Sequence, residues 1–187
     1  MNVDYGPLAC LVGTWTGDKG LDRSPEPDGT TEENPYFETI LFEAIGDVTN
    51  AGAQTLSVLR YHQVASRKSD RKVFHNQTGY WSWDPKDGGI LHSLTIPRGV
   101  CVLAAGKAAV NPDGSTVLEL KAGPEGIVQS PFMGEKARTT GFVARFTVAG
   151  NVLTYAETTV LDVYGHSFDH TDVNVLTRTA REVSSGG

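Results

Sequence analysis

Cysteine is almost missing from this chain of 187 residues. Only Cys10 and Cys101 occur, and two thiols so far apart make neither a disulfide framework nor the paired knuckles of a zinc site. Both are expected to be buried as small hydrophobes. Long apolar runs are missing too: stretches such as "GVCVLAAG" fall far short of the roughly 20 residues that cross a bilayer, so no membrane partner is expected. The opening "MNVDYGPLAC" has neither a basic n-region nor an apolar h-region, which gives cytoplasmic as the expected location. Basic charge is in deficit, with 16 Lys and Arg against 22 Asp and Glu and a formal charge of -6. Without a run of Lys or Arg there is no stripe to meet a phosphate backbone, which excludes nucleic acid as a partner. The motifs of common enzymes are absent as well, since no GxSxG, HExxH, P-loop or GxGxxG stands in its required context.

What is present points to strands. Thr and Val are abundant, glycine occurs 21 times, and 39% of the residues are hydrophobic, a soluble composition richer in turn-forming and β-branched residues than a helical bundle. The length suits one domain over 1–187, with a ragged tail at 182–187. Alternation at period two recurs in about ten segments, among them "YFETILFEAI", "QTLSVLRYHQVAS", "KVFHNQTGYWSW" and "NVLTYAETTVLDVYG". Turns such as "DPKDGG", "NPDGS" and "AGN" are short, so the neighbours are antiparallel. Closing such a meander removes its edges, which predicts an all-β, closed antiparallel up-and-down β-barrel of about ten strands, calycin-like in the manner of lipocalins and fatty-acid-binding proteins. Ten strands leave room inside for a small ligand.

Two segments read as non-strand. An acidic, proline-rich stretch at about 21–35 is expected to be a long solvated loop near the barrel mouth, and "PEGIVQSPFMGEKARTTG" an irregular excursion. "DYGPLACLVG" is expected to form a helical turn that plugs one end. Acidic pairs such as Asp169 with Asp172 and Glu32 with Glu33 read as solvated charge.

The five histidines carry most of the chemical information, because a neutral imidazole can ligate a metal or a haem iron. Strand parity sorts them. His75 shares a face with Gln77, Trp81 and Trp83. His62 falls on the face opposite Leu59, Tyr61 and Gln63, so it points outward. His92 alternates with Ile90, Leu94 and Ile96, as a hydrogen-bonded structural residue would. His166 follows Gly165 in a bend and reads as a turn residue. His170 opens the last strand in register with Asp172, Asn174, Leu176 and Arg178, where it is either a ligand or an exposed strand-end residue.

The order of motifs resembles the nitrobindin-like haem-binding β-barrels from about Leu8 to Arg178. "LVGTWTGDKG" is similar to that family's L-x-G-x-W-x-G-x-G strand, "LRYHQV" to its L-x-Y-x-Q strand, "FHNQTGYW" to its H-x-E-T-G-Y/F strand, and "IPRGVCVLAAG" to its Q-P-T-G-x-x-E-x-x-x-G. The resemblance implies a ten-stranded barrel with haem b in one open end. His170 would bind the iron as the metal ligand, His75 would stand on the other side of the haem, and Tyr61, Gln63 and Trp81 would contribute to the pocket. It also implies binding of nitric oxide and isomerisation of peroxynitrite to nitrate. Gln77 replaces a family Glu, and Leu176 and Arg178 lie one residue farther from His170 than in the family pattern, so the face of His170 rests on strand register. The alternatives are a non-catalytic carrier of a fatty acid or other apolar small molecule, anchored by Arg98 or Arg145, and a barrel packed solid. A homodimer is compatible with either.

Overall fold

The computed structural model describes residues 3–179, which leaves the 182–187 tail outside the described residues. Eleven strands form in chain order: β1 (Gly13–Pro25), β2 (Thr31–Asn50), β3 (Gln54–Arg67), β4 (Val73–Trp83), β5 (Gly89–Ile96), β6 (Val100–Val110), β7 (Thr116–Ala122), β8 (Ile127–Gln129), β9 (Ala137–Ala149), β10 (Val152–Val163) and β11 (His166–Arg178). Ten of them pair in a ring that β1–β11 and β5–β6 complete, which is the closed antiparallel calycin-like barrel. The short β8 adds only to the start of β6. It belongs to the excursion before β9, together with a 3₁₀ turn (Pro124–Gly126) and helix α1 (Pro131–Lys136), whose first turn is capped by Ser130.

One half of the barrel is solid. At the end where β2–β3, β4–β5 and β9–β10 turn, Trp15, Phe42, Leu59, Trp81, Leu153 and Leu176 fill the interior. A 3₁₀ turn at Gly6–Leu11 closes that end with the buried Leu8 and Leu11, as the sequence predicted. Trp15 Nε1 donates to the Leu11 carbonyl at 2.7 Å. The Arg178 guanidinium lies 4.3 Å from the Trp15 ring centroid and donates to the Cys10 carbonyl at 2.6 Å, so the last strand is tied to the plug.

Three expectations are corrected. Residues 21–35 form a strand-paired extension of the β1–β2 hairpin rather than a long loop, with pairs from Leu21↔Pro35 to Pro25↔Thr31. Its two strand prolines are tolerated because both stand where pairing to a further strand has ended: β11 pairs with β1 only as far as Arg23, and β3 with β2 only as far as Tyr36. Only the tip is a turn, with Gly29 at φ +85. Cys101 is exposed on the outer face of β6 and Cys10 is only partly buried, because neither occupies a core position of its element. His166 is the first residue of β11, opposite Val163; the turn is Tyr164–Gly165, both at positive φ, a two-residue hairpin loop. His170 therefore lies four residues inside β11 rather than opening it.

Candidate functional site

The other half of the barrel is hollow. Where β1–β2, β3–β4, β5–β6 and β10–β11 turn, a cavity of about 380 Å³ opens between the strand ends and α1. Its walls are partly apolar, from Phe74, Ile96, Phe142, Leu161 and Val163, and Arg67 and Arg98 stand at its rim. Both His75 and His170 line it.

A bulge in β1 shapes the floor. Gly17 pairs with Glu38 but Gly20 with Tyr36, so one extra residue lies between them. The extra residue reverses the parity of β1: Trp15 faces inward before it, and Gly20 and Asp22 after it. Gly20 is required there because the Tyr36 ring covers it; a Cβ would sit 2.2 Å from a ring carbon.

Asp22 now faces β11, whose alternation is unbroken, with His170, Asp172, Asn174 and Leu176 all inward. His170 Nε2 lies 2.5 Å from Asp22 Oδ1 and 3.6 Å from Asp172 Oδ2. Burial works to lower the His170 pKa, but the hydrogen bond to Asp22 and the charges of Asp172 and Asp22 outweigh it, and the net shift is upward. Burial pushes Asp22 up, while His170, Asn34 and Ser24 more than reverse it, and its pKa is lowered. The two form a hydrogen-bonded pair in which each partner favours the charged form of the other.

Asp172 is the middle member of a row of acids across three strands, paired with Asp22 on β1 and with Glu157 on β10. Burial, only partly offset by His170, holds Asp172 at about 6. Burial and the neighbouring charges of Asp172 and Glu38 drive Glu157 well above the carboxylate range. Deeper in, Glu38 accepts from Tyr155, Gln63 and Asn174 at 2.7–2.9 Å, and burial raises it to about 7.

On β4, Ala65 pairs with His75 and Ser66 with Val73, which leaves Phe74 as an extra residue. This bulge lets Phe74 and His75 both reach the cavity although they are adjacent in sequence. Burial lowers the His75 pKa and keeps the ring neutral; its Nε2 lies 3.2 Å from Gln77 Oε1.

Of the residues singled out from the sequence, His75 and His170 meet at the cavity. Tyr61, Gln63 and Trp81 do not line it: they face inward, as parity predicted, but lie beneath it. Tyr61 Oη accepts from Gln77 at 2.7 Å and is 2.9 Å from His92 Nε2; Gln63 donates to Glu38; and Trp81 stacks on His92 at 4.2 Å. His92 is the structural histidine expected, and burial lowers it to about 3. His62 is exposed and bonds Asn76. Arg145 is exposed and paired with Glu119, so it is not an interior anchor. Asp172, read as solvated, lines the cavity. Asp22 and Glu157 were not signalled at all.

The family model for a THAP4-like, heme-binding beta-barrel domain matches residues 4–178. The chain belongs to this family. Peroxynitrite isomerase 1 of Mycolicibacterium paratuberculosis (strain ATCC BAA-968 / K-10) is 27% identical to this family member over 156 residues, 83% of this chain and 84% of that protein. Peroxynitrite isomerase 2 of Mycobacterium avium (strain 104) matches with the same identity and coverage. The crystal structure of Rv2717c from M. tuberculosis shares the fold at a TM-score of 0.71 and 24% identity, covering 95% of this chain and all of that one. The protein is thus a small-ligand β-barrel related to the nitrobindins and peroxynitrite isomerases.

The residues present fit the haem that the family description names. His170 gives Nε2 to the Asp22 carboxylate at 2.5 Å, an arrangement in which a ligating histidine gives one nitrogen to a carboxylate and keeps the other for the metal. The apolar wall suits a porphyrin face, and the guanidinium groups at the rim suit its propionates.

Proposed function

We propose that the barrel binds haem b in its open half and acts on nitric oxide and peroxynitrite. The observation that carries this reading is the placing of two histidines from different walls, His75 and His170, in one partly apolar cavity within a family of haem-binding barrels. His170 would hold the iron through the nitrogen Asp22 leaves free, and Asp22 would fix the ring and strengthen it as a donor. His75, neutral through burial, would offer a hydrogen-bonding ring to a small molecule on the iron. Arg67 and Arg98 would meet the propionates. Bound haem would supply the iron at which nitric oxide binds and peroxynitrite is converted to nitrate.

A fatty-acid carrier has less support. Arg98 could meet a head group at the rim, but the carboxyls of Asp22, Glu157 and Asp172 would face an alkyl tail that offers none of them a hydrogen bond.

The test is to load the protein with one equivalent of hemin, confirm the stoichiometry by native mass spectrometry, and follow peroxynitrite decay by stopped flow. Faster decay than with free hemin, with nitrate as the product, supports the reading. A one-to-one complex that decays peroxynitrite no faster than free hemin contradicts the activity, and the absence of a complex contradicts haem binding itself.

A further inference from the structure

We propose that the haem-free barrel is a binding protein for one divalent transition-metal ion, held by Asp22, His170 and Asp172 with Glu157 as a fourth donor. This goes beyond the haem reading and does not depend on it.

The three principal donors lie on two adjacent strands, and their ligand atoms are all within 4.8 Å of one another. They point into a cavity rather than to open solvent, with side-chain exposures of 5% for Asp22 and 27% for both His170 and Asp172. The second observation is Glu157. This residue is only 9% exposed, lines the same cavity, stands directly across from Asp172, and has a buried Oε1 without a hydrogen-bond partner.

Carboxylates placed directly opposite one another in a sheet repel when both are ionised, and a buried carboxyl oxygen without a partner is costly to keep. The β1 bulge brings Asp22 to this row rather than away from it. Charge of this sign, converging with one imidazole, is what a cation of charge two would relieve.

The donor set selects the class. Imidazole suits zinc, iron and nickel, while carboxylates suit harder ions such as manganese; one imidazole with two or three carboxylates fits Zn²⁺, Fe²⁺ or Mn²⁺. In the metal-free protein the proton on Nε2 bridges His170 to Asp22. The metal takes that position: a bond forms from Nε2 to the ion, the N–H bond breaks, and that proton leaves to solvent together with any proton held by the carboxyls that ligate. Haem iron would take the other nitrogen of this ring, and a neutral imidazole has only one lone pair to give, so haem and the divalent ion compete for His170.

The experiment is calorimetric titration of the purified, chelator-treated chain with Zn²⁺, in two buffers of different ionisation enthalpy. The expected result is one saturable equivalent with proton release. Asp172→Asn and His170→Ala should each weaken it tenfold or more, Glu157→Gln less, and His62→Ala not at all. Far-UV circular dichroism checks that each variant folds. In the unaltered chain the His170 ring signals should shift on Zn²⁺ addition while those of His62 stay in place, a readout that survives any folding failure. Absent saturable binding, affinity unchanged in the folded Asp172→Asn and His170→Ala variants, or an unmoved His170 signal overturns the proposal. A zinc equivalent without hemin uptake would leave this site standing and overturn the haem reading; hemin uptake without zinc would do the reverse.

Discussion

His170 and Asp22 are 148 residues apart in sequence, yet they meet at 2.5 Å between β11 and β1 in the floor of the cavity. The contact joins a strand with unbroken alternation to one that a bulge has turned over, and it fixes the orientation of the imidazole and favours its charged form.

Replacing Asp22 should therefore change His170 first. In Asp22→Asn the imidazole loses its charge partner but remains buried, so its pKa should fall from its raised value toward or below 6.5. A pH titration of the histidine ring signals, with exposed His62 as the internal control, measures it. An unchanged His170 midpoint would contradict the pairing.

Stability should fall as pH rises above neutrality. Glu38 (about 7 against 4.5), Asp172 (about 6 against 3.8) and Glu157 all have folded-state values above their unfolded ones. The native state therefore holds protons that the unfolded chain gives up, and stability falls as pH rises through this range. His170, also raised from 6.5, adds stability that is complete below that value and is lost as pH rises through its folded pKa. Asp22, lowered from 3.8, acts in the opposite sense as pH falls below that value, and His92 and His75, lowered from 6.5, do so as pH falls below theirs. Below 6.5 the two sets oppose each other, and above it only the raised groups still titrate, so the melting temperature should decline from about pH 6.5 toward pH 8. Glu38→Gln should flatten the decline, and a melting temperature that rises toward pH 8 would contradict the assignment.

The solid half of the barrel should be sensitive to volume. Trp81 is completely buried among Phe42, His92 and Phe146, so Trp81→Ala should cost about 3–5 kcal/mol in urea denaturation. A cost below about 1 kcal/mol would mean that this half is not close-packed.

Depth separates the two halves in ligand binding as well. Tyr61→Phe removes a hydroxyl beneath the cavity and should lower stability by about 1–3 kcal/mol while leaving hemin affinity within about twofold. Leu161→Trp, on the cavity wall, should do the reverse, abolishing hemin uptake with little loss of stability. Equal effects of the two on hemin binding would contradict the division.

The barrel was legible in the sequence because ten segments alternate at period two and their turns carry Gly, Asn and Asp, which is the physics of a closed meander. His75 and His170 were legible by parity together with the family resemblance. Asp22 was not, because parity counted from Trp15 puts it outside, and only the β1 bulge brings it in. Nor was the position of Tyr61, Gln63 and Trp81: alternation reports which face of a strand a residue occupies, not how far along the barrel axis it lies. Asp172 looked like solvated charge because the sequence does not show Glu157 and Asp22 flanking it on neighbouring strands.

Hemin titration of the unaltered protein against His170→Ala, with His62→Ala as a surface control, bears most directly on the proposed function. The account predicts a Soret band with a one-to-one endpoint for the unaltered protein and for His62→Ala, and at least tenfold weaker uptake with a shifted band for His170→Ala. Identical spectra and endpoints for the unaltered protein and His170→Ala, or no saturable band in the unaltered protein, would contradict it.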